Sequence, residues 1–156
     1  MNVKEIMTEK EKVIFVAPIS KVFEVARILI EHSFNGIPVV EDDVVVGLIT
    51  EGDLLASGTV LQNYSELISK FIPGQTGFKK SDEKKDEMDT VLDMEVKNIM
   101  NKSFISVNPE TSIKELMKIL TEKNINPIPV VDKNKKLQGI VSRADIIKFV
   151  ARNNAL

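Results

Sequence analysis

Apolar residues along the chain fall into two rhythms, and the pair of rhythms occurs twice. Val22, Val25, Ala26 and Leu29 stand at i, i+3, i+4 and i+7, and Ile113, Leu116, Met117 and Leu120 repeat that spacing. Each set predicts a helix with one buried face. A short extended run ending at proline precedes each helix, "VIFVAP" at 13–18 and "FISVNP" at 104–109. Ser20 and Thr111 follow these runs, where a helix N-cap is expected. After each helix come two β-branched runs, "IPVVE" then "VVVGLIT" in the first copy and "IPVVD" then "LQGIVS" in the second. The turn residues "DD" and "KNKK" separate them, which predicts a hairpin in each copy. A second helix then opens on a hydroxyl residue with aspartate three positions on: Thr50 and Asp53, Ser142 and Asp145. The order in each copy is β-α-β-β-α, and the fold class expected is α+β, two such units packed with pseudo-two-fold symmetry.

The repetition extends to residue identity. Residues 14–40 laid on 105–131 give 12 identities in 27 without a gap, "VKEIM" at 3–7 returns as "VKNIM" at 96–100, and "GLITEGDLL" at 47–55 returns as "GIVSRADII" at 139–147. A duplicated unit of this size is one supersecondary element that buries its apolar face on its twin. The expected boundaries are 1–57 for the first repeat, 58–95 for a helical segment and linker, and 96–156 for the second repeat. Within the middle segment, Val60, Tyr64, Leu67, Ile68 and Phe71 recur at helical spacing, so a helix is expected over 58–72. "PGQTGFKKSDEKKDE" at 73–87 reads as a mobile charged linker, and "MDTVLDMEV" at 88–96 as a short helix leading into the second repeat.

Composition narrows the chemistry. With 21 Lys+Arg against 23 Asp+Glu the net charge is -2, and no global basic field draws in nucleic acid or an anionic membrane. Cysteine is absent, which removes disulfides, thiolate catalysis and cysteine-based zinc sites. The N-terminal residues lack a signal-peptide apolar run and no apolar stretch approaches a membrane span, so a cytoplasmic protein is expected. The single histidine, His32, falls near the end of the first helix beside Glu31, where a capping or surface role is expected and no triad or metal site can be assembled. "GQTGFKKS" at 74–81 departs from a phosphate loop in glycine spacing and lysine placement, and no strand precedes it.

The two hydroxyl-x-x-Asp elements admit a purely structural account. They fit capping boxes, the hydroxyl accepting backbone N–H groups and the carboxylate complementing the helix dipole. A second account comes from a resemblance. The repeated β-α-β-β-α unit, the "IPVV" element, and a glycine followed by two apolar residues, Ser or Thr, two residues and Asp resemble a tandem pair of cystathionine-β-synthase (CBS) domains, a Bateman module. The resemblance spans nearly the whole chain except the linker.

Members of that family generally bind adenosine-containing ligands, such as AMP, ADP, ATP or S-adenosylmethionine, in clefts between the two units, and many are regulatory. The resemblance implies that Asp53 and Asp145 accept from ribose hydroxyls while Thr50, Ser142 and the helix N-terminus face a phosphate. An acceptor-only carboxylate matches a cis-diol, and helix N–H groups favour anions. It places the adenine against Phe34, Asn35 and Gly36 and against Ile125, Asn126 and Pro127, with Leu48 and Ile140 as the floor. For the two asparagines and Gly36, a helix-ending turn is the structural alternative. The copies differ in charge: Glu51 follows the hydroxyl in the first and Arg143 in the second, so the second is expected to prefer a phosphate. Lys148 and Arg152, further along, fit a solvated face equally well. The sequence thus points to a regulatory module with no enzymatic role, no metal and no catalytic cofactor. An adenosine ligand, a homodimeric assembly and an unidentified effector protein are the partners expected. The rival reading is a ligand-free interaction scaffold in which these elements only cap helices. An enzyme ranks third, since no nucleophile, base and orienter converge.

Overall fold

The computed structural model describes residues 1–57 and 93–153. The elements expected at 58–72 and 73–87, and most of 88–96, lie outside the described residues.

The first unit comprises α1 (Val22–His32), β2 (Gly36–Glu41), β3 (Val44–Thr50) and α2 (Glu51–Ala56), preceded by the two-residue strand β1 (Thr8–Glu9). The second comprises α3 (Ile113–Glu122), β4 (Ile128–Val131), β5 (Leu137–Val141) and α4 (Arg143–Asn153). Both hairpins are antiparallel, Gly36 facing Thr50 and Ile128 facing Val141, and each has one register shift, at Val39/Val40 and at Val130/Val131. The "DD" turn works because Asp42 and Asp43 both adopt positive φ, 51° and 67°, the backbone of the tight hairpin turn whose twist matches the strands. In the longer second turn Asp132 accepts from the N–H groups of Asn134 and Lys136.

The runs ending at proline contribute less strand than expected. Val16 pairs in parallel with Val39, and Val107 with Val130, each as a single bridge. Ser20 and Thr111 are not N-caps. Each hydroxyl instead accepts from the N–H three residues earlier, Ala17 at 3.0 Å and Asn108 at 3.1 Å, closing a turn before the helix begins. The cap positions are Lys21, which makes no side-chain cap, and Ser112, whose hydroxyl accepts from Glu115 N–H. The apolar faces behave as the spacing requires, with Val22, Val25, Ala26, Leu29, Leu116 and Leu120 buried, except that Met117 is 45% exposed.

The two units exchange their leading segments. The 3-10 turn Val3–Glu5 and β1 leave the first unit and bind the second: Val3 N–H donates to Thr111 O, and Thr8 and Glu9 pair with Ile140 and Gly139 on the free edge of β5. The equivalent turn Val96–Asn98 binds the first unit, with Val96 N–H donating to Ser20 O and Asn101 pairing with Leu48. Val3 is accordingly buried in the second unit's core and Val96 in the first's. This accounts for the glycine in each repeated motif. A Cβ on Gly47 would stand 2.6 Å from Met100 Sδ, and one on Gly139 would stand 2.5 Å from Thr8 O. Beside Val96, Lys97 Nζ lies 2.7 Å from Glu95; this hydrogen-bonded pair holds the Glu95 carboxyl below its ordinary range and lifts the Lys97 ammonium above its own.

A third apolar cluster, Val13, Val40, Val45, Val131 and Leu137, joins the units, and the hairpin tips pair across it through Val45 N–H to Lys135 O and Leu137 N–H to Asp43 O. Among the described residues no helix is long and apolar enough to cross a membrane.

Candidate functional site

The Thr50-x-x-Asp53 element is a closed capping box, whereas in Ser142-x-x-Asp145 only the carboxylate half is made and the Asp145 N–H donates to the Ser142 carbonyl. Asp53 Oδ2 accepts from Thr50 N–H at 2.8 Å and from Thr50 Oγ1 at 3.0 Å, while Asp53 N–H donates to Thr50 Oγ1 at 3.3 Å. Asp145 Oδ2 accepts from Ser142 N–H and from Ser142 Oγ, both at 2.8 Å. These bonds use one carboxylate oxygen. Asp145 Oδ1 has no donor among the described residues, so capping and ligand binding are compatible in a single side chain. Gly52, exposed in the first turn of α2, would bring a Cβ no closer than 3.5 Å to Thr50 Oγ1. Gly52→Ala is therefore expected to raise stability by roughly 0.5 kcal/mol in equilibrium urea unfolding, through lower unfolded-state entropy and better helix propensity; a loss would mean that α2 needs glycine for another reason.

The asparagines before "IPVV" do not end the helices. The left-handed residues that do are Ser33 (φ 53°) and Asn124 (φ 50°). Asn35 and Asn126 instead tie the start of each hairpin to the helix after it: Asn35 O accepts from Glu51 N–H, and Asn126 Oδ1 accepts from Arg143 N–H, both at 2.9 Å. Gly36 owes its identity to space, since a Cβ there would meet Ile49 O at 3.0 Å and Pro127 Cδ of the other unit at 3.1 Å. The beginnings of the two hairpins thus meet at the boundary between the units.

A cavity of about 470 Å³ opens at this boundary, within the size range of small-molecule sites. Of the residues singled out in the sequence, Phe34, Asn35 and Gly36 of the first unit line it. Asn126, Pro127, Ile140, Ser142, Arg143 and Asp145 of the second unit line it with them. Thr50, Asp53, Leu48 and Ile125 do not line this cavity. Arg143 is engaged within the protein: its Nη2 donates to Leu120 O at 3.1 Å and to Asn124 Oδ1 at 2.7 Å. The guanidinium thereby sits on the carbonyl end of α3, where a cation is favoured. At the start of α4, Ser142 N–H goes to Asp145, Arg143 N–H to Asn126 and Asp145 N–H to Ser142 O. The Ala144 N–H, on the cavity wall, has no acceptor among the described residues.

Nine lining residues were not assigned to a site by the sequence, among them Lys12, Ile14, His32 and Lys148. His32 does not cap α1, a task left to the backbone at Ser33. Its ring stacks on Phe34, centroids 5.1 Å apart at 19°, and forms an aromatic wall. The signal available was the "HSFNG" run itself, two rings bracketing one residue immediately before the hairpin. Among the described residues, no group of three or more His, Cys, Asp or Glu is placed to hold a metal ion.

Two halves of the same α-β-β-α order meet at a cavity with a hydroxyl-carboxylate pair on its wall, the arrangement of a tandem domain pair. The family model for the CBS domain matches residues 3–58 and 96–152, and the chain belongs to the CBS-domain family. Its curated relatives include the chloroplastic CBS domain-containing protein CBSX1 of Arabidopsis thaliana, 29% identical over 94% of this chain and 63% of the relative. They also include the Methanocaldococcus jannaschii protein MJ1426, 29% identical over 95% of this chain and 90% of the relative. The chain thus spans slightly under two thirds of CBSX1. Among solved structures, CBSX2 in complex with AMP superposes with TM-score 0.73 at 26% identity, covering 98% of each chain. The CBS domain pair of MJ0100, in complex with 5′-methylthioadenosine and S-adenosyl-L-methionine, superposes with TM-score 0.69 at 22% identity, again covering 98% of each.

Proposed function

We propose that this chain is a regulatory module that binds an adenosine-containing ligand in the inter-unit cavity and passes its occupancy to a partner protein. The observation that carries the reading is the placement of Asp145. Its carboxylate is fixed by Ser142 through one oxygen and leaves the other unbonded on the wall of a cavity built from both units. A rigid acceptor-only group there suits a ribose diol. His32, Phe34, Ile140 and Pro127 supply an apolar and aromatic surround for a base. The crystal structure of CBSX2, a 26% identical protein, in complex with AMP supports this ligand class.

A regulatory role follows from the two-sided lining. A ligand touching both units favours the packing in which both sets of contacts are made, and shifts the population toward it by its differential affinity. The cytoplasmic location, a homodimeric assembly and the effector protein belong to this proposal as well; sedimentation with and without ligand checks the assembly.

The rival reading, two helix caps and no ligand, is favoured by the complete capping box at Thr50 and by the Asp145 carboxylate's bonds to Ser142 N–H and Oγ. Calorimetric titration of AMP, ADP, ATP and S-adenosylmethionine into wild type and Asp145→Asn separates the two. Saturable binding is expected, weakened about tenfold or more in a folded Asp145→Asn protein, as for a lost hydrogen bond to a charged acceptor. No heat with any ligand on nucleotide-free protein, or equal binding by the variant, would leave the caps as the whole role.

A further inference from the structure

We infer that the inter-unit cavity selects its ligand by an anionic tail of more than one phosphate, with Lys12 and Lys148 as the groups that read it. The inference rests on the adenosine reading above and names the ligand within that class.

Charge on the cavity wall is one-sided. Lys12, Arg143 and Lys148 line it against a single carboxylate, Asp145. The two lysines come from different units, Lys12 at the end of a 3-10 turn in the first and Lys148 from α4 in the second. Lys148 follows Asp145 by three residues on one helix and so lies on the same face. Neither ammonium has an ion pair or hydrogen bond among the described residues, whereas the neighbouring lysine, Lys10, is paired with Asp43 at 3.3 Å and Lys4 with Glu110 at 3.0 Å. Most other described lysines are likewise unpaired on the surface; what sets Lys12 and Lys148 apart is that both line one cavity whose wall carries a single carboxylate. The positions matching Arg143 and Lys148 in the first repeat are Glu51 and Ala56, so the shared fold does not require cations there.

Uncompensated like charges around one cleft repel each other until an anion enters. A single phosphate placed by the ribose at Asp145 meets the start of α4, where the Ala144 N–H is unspent. The lysines are then surplus to a monophosphate and are satisfied by further phosphates. A sulfonium ligand brings positive charge into the same field and is disfavoured.

The experiment is calorimetric titration of AMP, ADP, ATP and S-adenosylmethionine, without added divalent metal, at two ionic strengths, into wild type, Lys12→Gln, Lys148→Gln and the double variant. Wild type is expected to bind ADP or ATP about tenfold or more tightly than AMP, and S-adenosylmethionine more weakly than AMP. In the double variant the ratio of ADP to AMP affinity is expected to fall toward one, with a shallower salt dependence. AMP or S-adenosylmethionine binding as tightly as ADP to wild type, or a ratio unchanged in the double variant, overturns the inference and leaves the adenosine reading standing. Absence of binding by all four ligands overturns that reading and this inference with it.

Discussion

Gly139→Ala is expected to lower stability by about 2 kcal/mol, because a methyl group there overpacks the contact between β5 and the exchanged N-terminal segment. The added Cβ would lie 2.5 Å from Thr8 O and 2.8 Å from Met7 Sδ. The first of these is a backbone atom held by the pairing of Thr8 with Ile140 and Glu9 with Gly139, so it has no rotamer by which to escape. The symmetry-related glycine supplies a control. The three atoms nearest a Cβ on Gly47 all belong to the Met100 side chain, Sδ, Cγ and Cβ, and a methionine side chain can swing aside. Gly47→Ala is therefore expected to be the milder change in urea unfolding. Amide exchange in the Gly139→Ala protein should rise first at the amides joining β1 to β5. Equal losses for the two variants would show that the exchanged segments yield equally, and that backbone contact does not set the difference.

Leu137→Ala is expected to have the largest effect on stability, a loss of about 3 kcal/mol. Leu137 is fully buried in the apolar cluster that joins the units, alongside Val13, Val40, Val45 and Val131. Its backbone is pinned by the bond to Asp43 O of the first unit, so the surroundings have little room to collapse onto the cavity left by truncation. The loss falls on the junction and not within one unit's core, so denaturant unfolding monitored separately in each unit should shift together. A loss below about 1 kcal/mol would mean that the junction relaxes freely and that cohesion between the units resides elsewhere.

Much of this fold is legible in the sequence because its determinants are local. Helical spacing identified the buried faces of α1 and α3, "DD" identified a hairpin turn, and the hydroxyl-x-x-Asp elements identified the helix starts at Glu51 and Arg143. What was illegible depends on pairing across long separations. Nothing in "VKEIM" or "VKNIM" states which unit the segment will bind, and periodicity is silent on a single bridge such as Val16 with Val39. The placing of Ser20 and Thr111 differed from expectation because a hydroxyl near a helix start can serve the turn before it as readily as the helix itself. For the cavity, nine of the residues singled out in the sequence line it, Thr50, Asp53, Leu48 and Ile125 do not, and Lys12 and His32 line it without standing in a motif that marked them. Arg143 was identified as a cation of the second copy, and its engagement by Leu120 O and Asn124 could be seen only once the end of α3 was in place.

The exchange of leading segments has a consequence for what counts as an independent folding body here. A single repeat lacks the strap that covers its own sheet edge and core, and the strap it carries fits another copy's edge, as Val3 does in the second core and Val96 in the first. Severed from its twin, one repeat would complete itself only by reciprocal swapping with an identical molecule. The duplicated chain is, in this sense, a swapped dimer written on one polypeptide, its halves clasped twice over by segments that are covalently part of the opposite half.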